Sequence, residues 1–427
     1  MLPMQETVLA PGVLLRAVQT KKFKNALLSV TFLEPLTAET ASPNALLPKV
    51  LRRGTQHCPD MTALSAALDD LYGGSMEPIL RKKGEVQCVG FWGSFLDDAF
   101  VPGGTPLLEQ ATRLLGQLVL EPAGEGGAFL PAYVDSEREN LIRKIRSQVN
   151  DKLQYSLSRL REEMCRGEAY GLDKLGSEES ARAITGQSLQ ARYQELLQTA
   201  PLCFYYCGSA EFARVEEAFR QAFAGLPQTS RRPLPQTQVV ARPAGPLRRF
   251  ADQMDVTQGK LILGFRTGGR FRSKEEIAQG LLLNAVYGGT TNSKLFLNVR
   301  EKRSLCYFAS SSLAQNKGLL QVYSGVEFAH FGQAEEEILA QLTACQQGQI
   351  TPEELETARR SVISSLRTTL DAQGRLEEYW LNRFVSDTCF QPEELAQAVE
   401  RVTLDQVVQT ACRVELDSIY TLRGKEG

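Results

Sequence analysis

Few residues in this chain can do chemistry near neutral pH, and they are scattered. Its two histidines, His57 and His330, stand far apart. A histidine-based zinc site wants two or three imidazoles, so the count alone argues against a zinc enzyme. Nine cysteines fall at 58, 88, 165, 203, 207, 306, 345, 389 and 412, and no two form a CxxC pair. That spacing excludes finger-type ligation. Cys203 and Cys207, in CFYYC, are spaced to share one face of a strand. The odd number and the dispersal point to reduced thiols in a cytoplasm, most of them small core residues. His57 adjoins Cys58 in RRGTQHCPD, but adjacent side chains point apart on most backbones, so no Cys–His nucleophile is assigned. No Ser/His/Asp constellation is found either. Gly288 and Gly289, in YGGTTNSK, lack the P-loop spacing. They read instead as a helix end with a tight turn and close backbone approach.

The totals exclude other classes. The chain has 427 residues, 43% hydrophobic and 23% charged, with a net charge of −2. This length calls for two or more domains. The near-neutral balance excludes a nucleic-acid surface, which needs clustered Lys and Arg. No apolar run reaches the roughly 20 residues that span a bilayer, and the N-terminus lacks the pattern of a signal peptide.

The elements that must position any site come twice. The Pro-, Gln- and Arg-rich segment 226–245 reads as a linker between domains at 1–225 and 246–427. In the first, the strand NALLSVTFLEP precedes the helix NALLPKVLRRG and the helix MTALSAALDDLYGG. The strand GEVQCVGFWG, the helix PLLEQATRLLGQLVL and the acidic-start helix YVDSERENLIRKIRSQ follow. In the second, GKLILGFRTGG, KEEIAQGLLLNAVYGG, SKLFLNVREKR, SLCYFASSSLA, GLLQVYSGVEF, AEEEILAQLTACQQG and TPEELETARRSVISSLR repeat that order. Two copies of one module are therefore expected. Each is an α+β domain with a mainly antiparallel sheet of five or six strands and helices mainly on one face. In TPEE, Thr351 is placed to cap, Pro352 fits the first helical position, and Glu353 and Glu354 favour the dipole. Trp92 and Trp380 read as core aromatics. The strand VQCVGFWG is taken as an open edge to which an extended peptide could add.

This duplicated architecture, with two local motifs, resembles the pitrilysin (insulinase-like) metallopeptidases, the inverzincins. The likeness spans the whole chain. The family signature HxxEH lies on the first helix, shortly before a Gly-Thr. In such a signature two His at i and i+4 take two tetrahedral zinc positions and the Glu activates water. The frame ALLPKVLRRGT puts Ala45, Pro48 and Lys49 there: a methyl group, a proline and an ammonium. Pro48 is expected only if the helix begins within about three residues before it. The family's third ligand, a Glu on the acidic-start helix, falls on Lys144. Two cations would then face the former metal pocket. Glu137 and Glu139 on that helix read as a solvated first turn rather than substitute ligands. No zinc and no other cofactor is expected in this chain.

The second motif is intact. GGTTNSKLFLNVREKRSLCYFASS matches the family segment whose Arg–Tyr pair binds the substrate backbone near the scissile carbonyl. Here that pair is Arg300 and Tyr307, with Gly288 and Gly289 ahead of it. Guanidinium and phenol both donate without ionising, and the resemblance implies that both heads converge on one carbonyl. The bland alternative is a helix-to-strand junction with a solvated basic face.

The resemblance therefore implies a noncatalytic, peptide-binding subunit of a two-chain zinc peptidase, similar to noncatalytic processing-peptidase subunits. Its partner would be an active chain of the family in a heterodimer, or a second copy in a homodimer, with zinc only in the active partner. A bacterial cytoplasm fits, without membrane or nucleic acid. The alternatives are a scaffold homologue with no peptide role and, least favoured, a peptidase active by itself.

Overall fold

The computed structural model describes residues 3–425, so 1–2 and 426–427 of the expected domains lie outside the described residues. The chain opens with strands β1 (Met4–Ala10), β2 (Val13–Gln19) and β3 (Asn25–Pro35). Helices α1 (Ala38–Leu51) and α2 (Met61–Asp69) precede the hairpin of β4 (Ser75–Lys83) and β5 (Val86–Leu96). Next come α3 (Leu107–Leu120), the short ribbon of β6 (Gly124–Glu125) and β7 (Ala128–Phe129), α4 (Pro131–Ser147) and α5 (Lys152–Met164). Helices α6 (Glu178–Arg182) and α7 (Gly186–Thr199), strand β8 (Leu202–Gly208) and helix α8 (Phe212–Ala222) finish this part.

After 226–245, which carries no helix or strand, the order begins again. It runs β9 (Arg248–Met254), β10 (Gly259–Arg266) and α9 (Lys274–Asn284). The backbone then winds as π-helix at Ala285–Gly289 and again at Leu295–Lys302. Strands β11 (Cys306–Ala314) and β12 (Leu319–Val326) lead to α10 (Phe331–Gln346), α11 (Pro352–Thr368) and α12 (Gln373–Val385). Helices α13 (Pro392–Arg401) and α14 (Leu404–Cys412) and strand β13 (Glu415–Gly424) close the chain. The α11 start follows its sequence: Thr351 accepts from the Glu354 N–H, the Glu354 carboxylate accepts from the Thr351 N–H, and Pro352 occupies the first turn.

The two sheets share one topology. The first has the order β1-β2-β8-β3-β5-β4 and the second β11-β12-β10-β13-β9. Starting at β4, the pairings are antiparallel with β5, β3 and β8, then parallel with β2. Starting at β11, they are antiparallel with β12, β10 and β13, then parallel with β9. Only β1 is extra. The repeat predicted from element order is therefore present in the hydrogen-bond ladders. Central strands β3 and β10 are buried along nearly their whole length, because both faces are covered, which is why they read as unbroken apolar runs.

The sheets sit in two compact units that do not follow the sequential halves throughout. Among the described residues, one unit holds 3–147, 172–236 and 372–385; the other holds 148–171, 237–371 and 386–425. Each half of the chain thus contributes one helix to the unit built mainly by the other half. In the first unit the main core lies between one sheet face and α1, α3, α4, α7 and α8, with Leu28, Val30, Phe204 and Phe219 at its centre. On the other face, Leu381 and Val385 of α12 pack on Leu33, Val86 and Cys88. In the second unit the main core joins Leu263, Phe265 and Val322 to α9, α10, α11, α13 and α14. On its other face, Leu160 of α5 packs on Ile262, Tyr420 and Leu422. Helices mainly on one face, as expected, are joined in each unit by one on the other.

One strand assignment is corrected. VQCVGFWG belongs to β5, which is paired on both sides, so it is not an open edge. The edge is β4, SMEPILRKK, where Pro78 is tolerated because an edge strand has an unpaired side. Trp380 is buried, as expected, whereas Trp92 is only half-buried.

Candidate functional site

Helix α1 carries Ala45, Pro48 and Lys49, the three residues expected in the signature frame. It starts at Ala38, after Thr37 caps it by accepting from the Thr40 N–H, and it runs to Leu51. Both Pro43 and Pro48 therefore lie inside the helix. The expectation that Pro48 requires a nearby helix start is overturned. An internal proline costs about 3 kcal/mol, so tertiary burial must hold the helix together. Buried Ala41, Ser42, Asn44, Ala45, Leu46, Leu47, Pro48, Val50 and Leu51 supply that burial.

A buried polar network fixes the same helix. Arg192 Nε of α7 donates to Asn44 Oδ1 at 2.8 Å, and Asn44 Nδ2 donates to Gln87 Oε1 at 2.8 Å. Gln87 Nε2 in turn donates to the Ala41 carbonyl at 3.0 Å. Arg192 also pairs with Glu34, which Arg232 contacts at 2.6 Å. Every one of these groups would cost stability if left unpaired. The helix is thus kept in place by packing and hydrogen bonds that need no metal.

Ala45 is only 1% exposed and belongs to the apolar core. Lys49 is half-buried, whereas Lys144 on α4 is exposed. Helices α1 and α4 pack together. Just beyond α1, Arg53 Nη1 lies 3.1 Å from Glu137 Oε1 of α4, and its guanidinium stacks 4.9 Å from the centre of the Tyr133 ring. Asn140 Nδ2 donates to the other Glu137 oxygen at 3.1 Å. Glu137 is therefore buried and paired, not part of a solvated turn, while Glu139 is exposed as expected. Among the described residues no group of three His, Cys, Asp or Glu side chains is placed to hold a metal ion. His57 pairs with Glu121 at 2.9 Å rather than with Cys58. Burial pushes the Cys88, Cys203 and Cys345 thiols up to about 12, which removes them as nucleophiles at neutral pH.

The Arg–Tyr segment lies in the second unit. A Cβ added at Gly288 would stand 2.6 Å from Leu295 Cδ1 and 2.7 Å from Ser311 Oγ. At Gly289 it would stand 2.5 Å from Asn284 Nδ2. Neither glycine has a positive φ, so what both supply is close approach. Arg300, on the second π-helical turn, lies 4.6 Å from the Phe296 ring centre and 3.5 Å from Glu301. Arg303 is engaged elsewhere, 2.9 Å from Glu337. The turn after it is closed by the Leu305 N–H donating to the Val299 carbonyl at 3.0 Å, with Ser304 at φ 51°.

Tyr307 then falls at a β-bulge on edge strand β11. Cys306 pairs with Val326 and Phe308 with Gly325, leaving Tyr307 as the extra residue. A bulge at an edge re-aims a side chain. Tyr307 is 58% exposed, and its hydroxyl donates to Glu327 Oε1 at 3.2 Å. Sequence reasoning did not single out Glu327; its place after the apolar strand GLLQVYSGV was the only available signal. It also passed over Arg53 and Asn44, which stand in the very segment that carries the degenerate positions.

The model of the peptidase M16 inactive domain matches residues 183–362. The chain is 34% identical over 418 residues to the "Probable inactive metalloprotease YmfF" of Bacillus subtilis (strain 168), covering 97% of each chain. It is similar to the crystal structure of a conserved protein from Enterococcus faecalis V583, with a TM-score of 0.90 and 26% identity over 99% of both chains. It also shares its fold with the crystal structure of a peptidase M16 inactive domain from Pseudomonas fluorescens, with a TM-score of 0.79 and 16% identity, covering 99% of this chain and 98% of that one. With no HxxEH anywhere in its sequence, the chain belongs to the M16, or pitrilysin (insulinase-like), peptidase family as an inactive homologue.

Proposed function

We propose that this chain is the peptide-binding, noncatalytic subunit of a two-chain zinc peptidase. An HxxEH-bearing chain of the family would supply zinc, base and water. The carrying observation is the contrast between the two motifs. The signature positions on α1 offer none of the groups that the chemistry requires, while Arg300 is half-exposed on the π-helical segment and Tyr307 is exposed on the bulged edge of β11. Remote contacts of this kind use binding energy to position a scissile bond held elsewhere. No zinc is expected in this chain, because a methyl group, a ring and ammonium groups offer no lone pair at neutral pH. None of the nine cysteines forms a disulfide, which supports a reducing compartment such as the cytoplasm.

The test is to co-express the chain with a zinc-bearing partner and compare peptide turnover at equal complex yield, judged by gel filtration. Arg300→Met and Tyr307→Phe should each lower turnover about tenfold, the value of one charge-assisted hydrogen bond. Unchanged turnover in both variants would leave the scaffold reading. That alternative draws support from the contacts that already engage Arg300 and Tyr307 within their own unit.

A further inference from the structure

We infer that Tyr307 presents a hydrogen-bond acceptor to its ligand, that the group received there is a donor such as a peptide N–H, and that Glu327 is the positioning residue that sets this polarity. The inference rests on the peptide-binding reading above and specifies its chemistry.

A phenol carries one proton and two lone pairs, and an ionised carboxylate only accepts. With Glu327 Oε1 3.2 Å from the Tyr307 hydroxyl, the single proton points at the carboxylate. What remains for a ligand is lone pairs. The backbone brings the two residues together. Because β11 and β12 are antiparallel, Glu327 and Tyr307 lie on opposite sides of the Cys306–Val326 rung, and the bulge at Tyr307 and the length of both side chains let them meet across it. The other carboxylate oxygen, Glu327 Oε2, lies 3.8 Å from His330 Nδ1, which leaves Oε1 to the phenol. The hydrogen bond to Glu327 and its negative charge both raise the Tyr307 pKa, as they must if the proton is held by an anion.

Arg300 differs, because a guanidinium can only donate. On this inference the two heads would not both donate to one carbonyl. Arg300 suits a carbonyl, and Tyr307 suits an N–H. An extended backbone offers both groups along one edge. An oxyanion, by contrast, demands donors throughout. While Glu327 is ionised, Tyr307 is a poor oxyanion ligand and a good peptide-edge ligand. That polarity suits a chain that holds a peptide without reacting with it.

The test uses the full chain and two readouts. The first is the titration of the Tyr307 ring carbon by NMR of Cζ-labelled tyrosine, assigned with Tyr307→Phe. The wild-type midpoint should lie above that of Glu327→Gln, and equal midpoints overturn the inference. The second uses an array of 12-residue peptides tiling unfolded β-casein, each with and without backbone N-methylation at successive residues. In the wild type, methylation at one position should weaken binding about three- to tenfold, the loss of one hydrogen bond. That penalty should vanish in Tyr307→Phe, which removes the acceptor, and shrink in Glu327→Ala, where the phenol is no longer held as an acceptor. Peptides that bind and are lost in Arg300→Met, but show no methylation penalty, would keep the peptide-binding reading and overturn this inference. An array on which nothing binds would overturn both, even with the NMR shift present.

Discussion

Arg53 and Glu137 form an ion pair at 3.1 Å between the end of α1 and the middle of α4, the two helices that in an active family member would be joined through a metal. The pair is partly shielded from water, and Asn140 and Tyr133 complete it. It gives these helices a tie made of side chains alone. Glu137→Gln should cost about 1–2 kcal/mol, because one charge-assisted hydrogen bond is weakened and Arg53 loses its counter-charge. Urea denaturation checks this. A chelator such as EDTA should leave the midpoint of the unmodified chain unchanged.

Rebuilding the signature should fail on two counts. The variant Ala45→His/Pro48→Glu/Lys49→His should bind no stoichiometric zinc while Lys144 stands at the expected third-ligand position, since two imidazoles without a third protein ligand form an incomplete site. The single change Ala45→His should make the chain less stable by about 1–3 kcal/mol, because an imidazole there overpacks the core. Elemental analysis and thermal melting read the two effects separately.

Beneath α12 lies a buried carboxylate of the opposite kind. Glu377 accepts from Ser29 Oγ at 3.2 Å and from Arg81 Nη1 at 2.5 Å. Burial raises its pKa, and Arg81 only partly offsets this. A carboxyl whose folded pKa is raised contributes stability below its ordinary value, and that contribution is lost as pH rises through the folded pKa. Glu377→Gln should therefore be neutral or stabilising at pH 8 and confer no gain near pH 4. Arg81→Met should cost about 3–5 kcal/mol at pH 8, because the buried charge then loses its main partner. Chemical denaturation at the two pH values decides both.

The second unit behaves in the opposite sense. Arg266 joins Glu168 at 2.7 Å and Asp417 at 2.9 Å, and Lys317 reaches Glu168 at 2.7 Å. Burial works against ionisation of both acids, but these hydrogen bonds outweigh it and hold both pKa values down. Their stabilisation is present above the ordinary carboxylate range and disappears as pH falls through the depressed values. On acidification below about pH 4, hydrogen exchange should rise first in β10 and β13 and later in β3 and β8. Simultaneous loss would contradict this order.

Much of the architecture was written in plain periodicity. β3 and β10 are apolar throughout because both their faces are covered, and α11 announces itself by Thr351, Pro352 and Glu354. β4 escaped because Pro78 and the Arg-Lys-Lys run that ends it mask a weak alternation that an edge strand can afford. Helices α5 and α12 went unread, and helix period carries no information about which sheet a helix covers. The same limit applies to the site. Losing a ligand at Ala45, Pro48 or Lys49 is visible in residue type, whereas the Glu137 and Glu327 partnerships depend on residues distant in sequence or on one bulge.

The traded helices set a timetable for synthesis. α5 leaves the ribosome with residues 152–164, yet strands β10 and β13, on which it packs, span 259–266 and 415–424. At about 5–20 residues per second, α5 waits on the order of ten to fifty seconds for its last partner strand. The first sheet waits almost as long for α12, at 373–385, and meanwhile leaves Leu33, Val86 and Cys88 uncovered. The first unit cannot be finished before residues 373–385 emerge, nor the second before 415–424, so the two do not fold as one finished module followed by another.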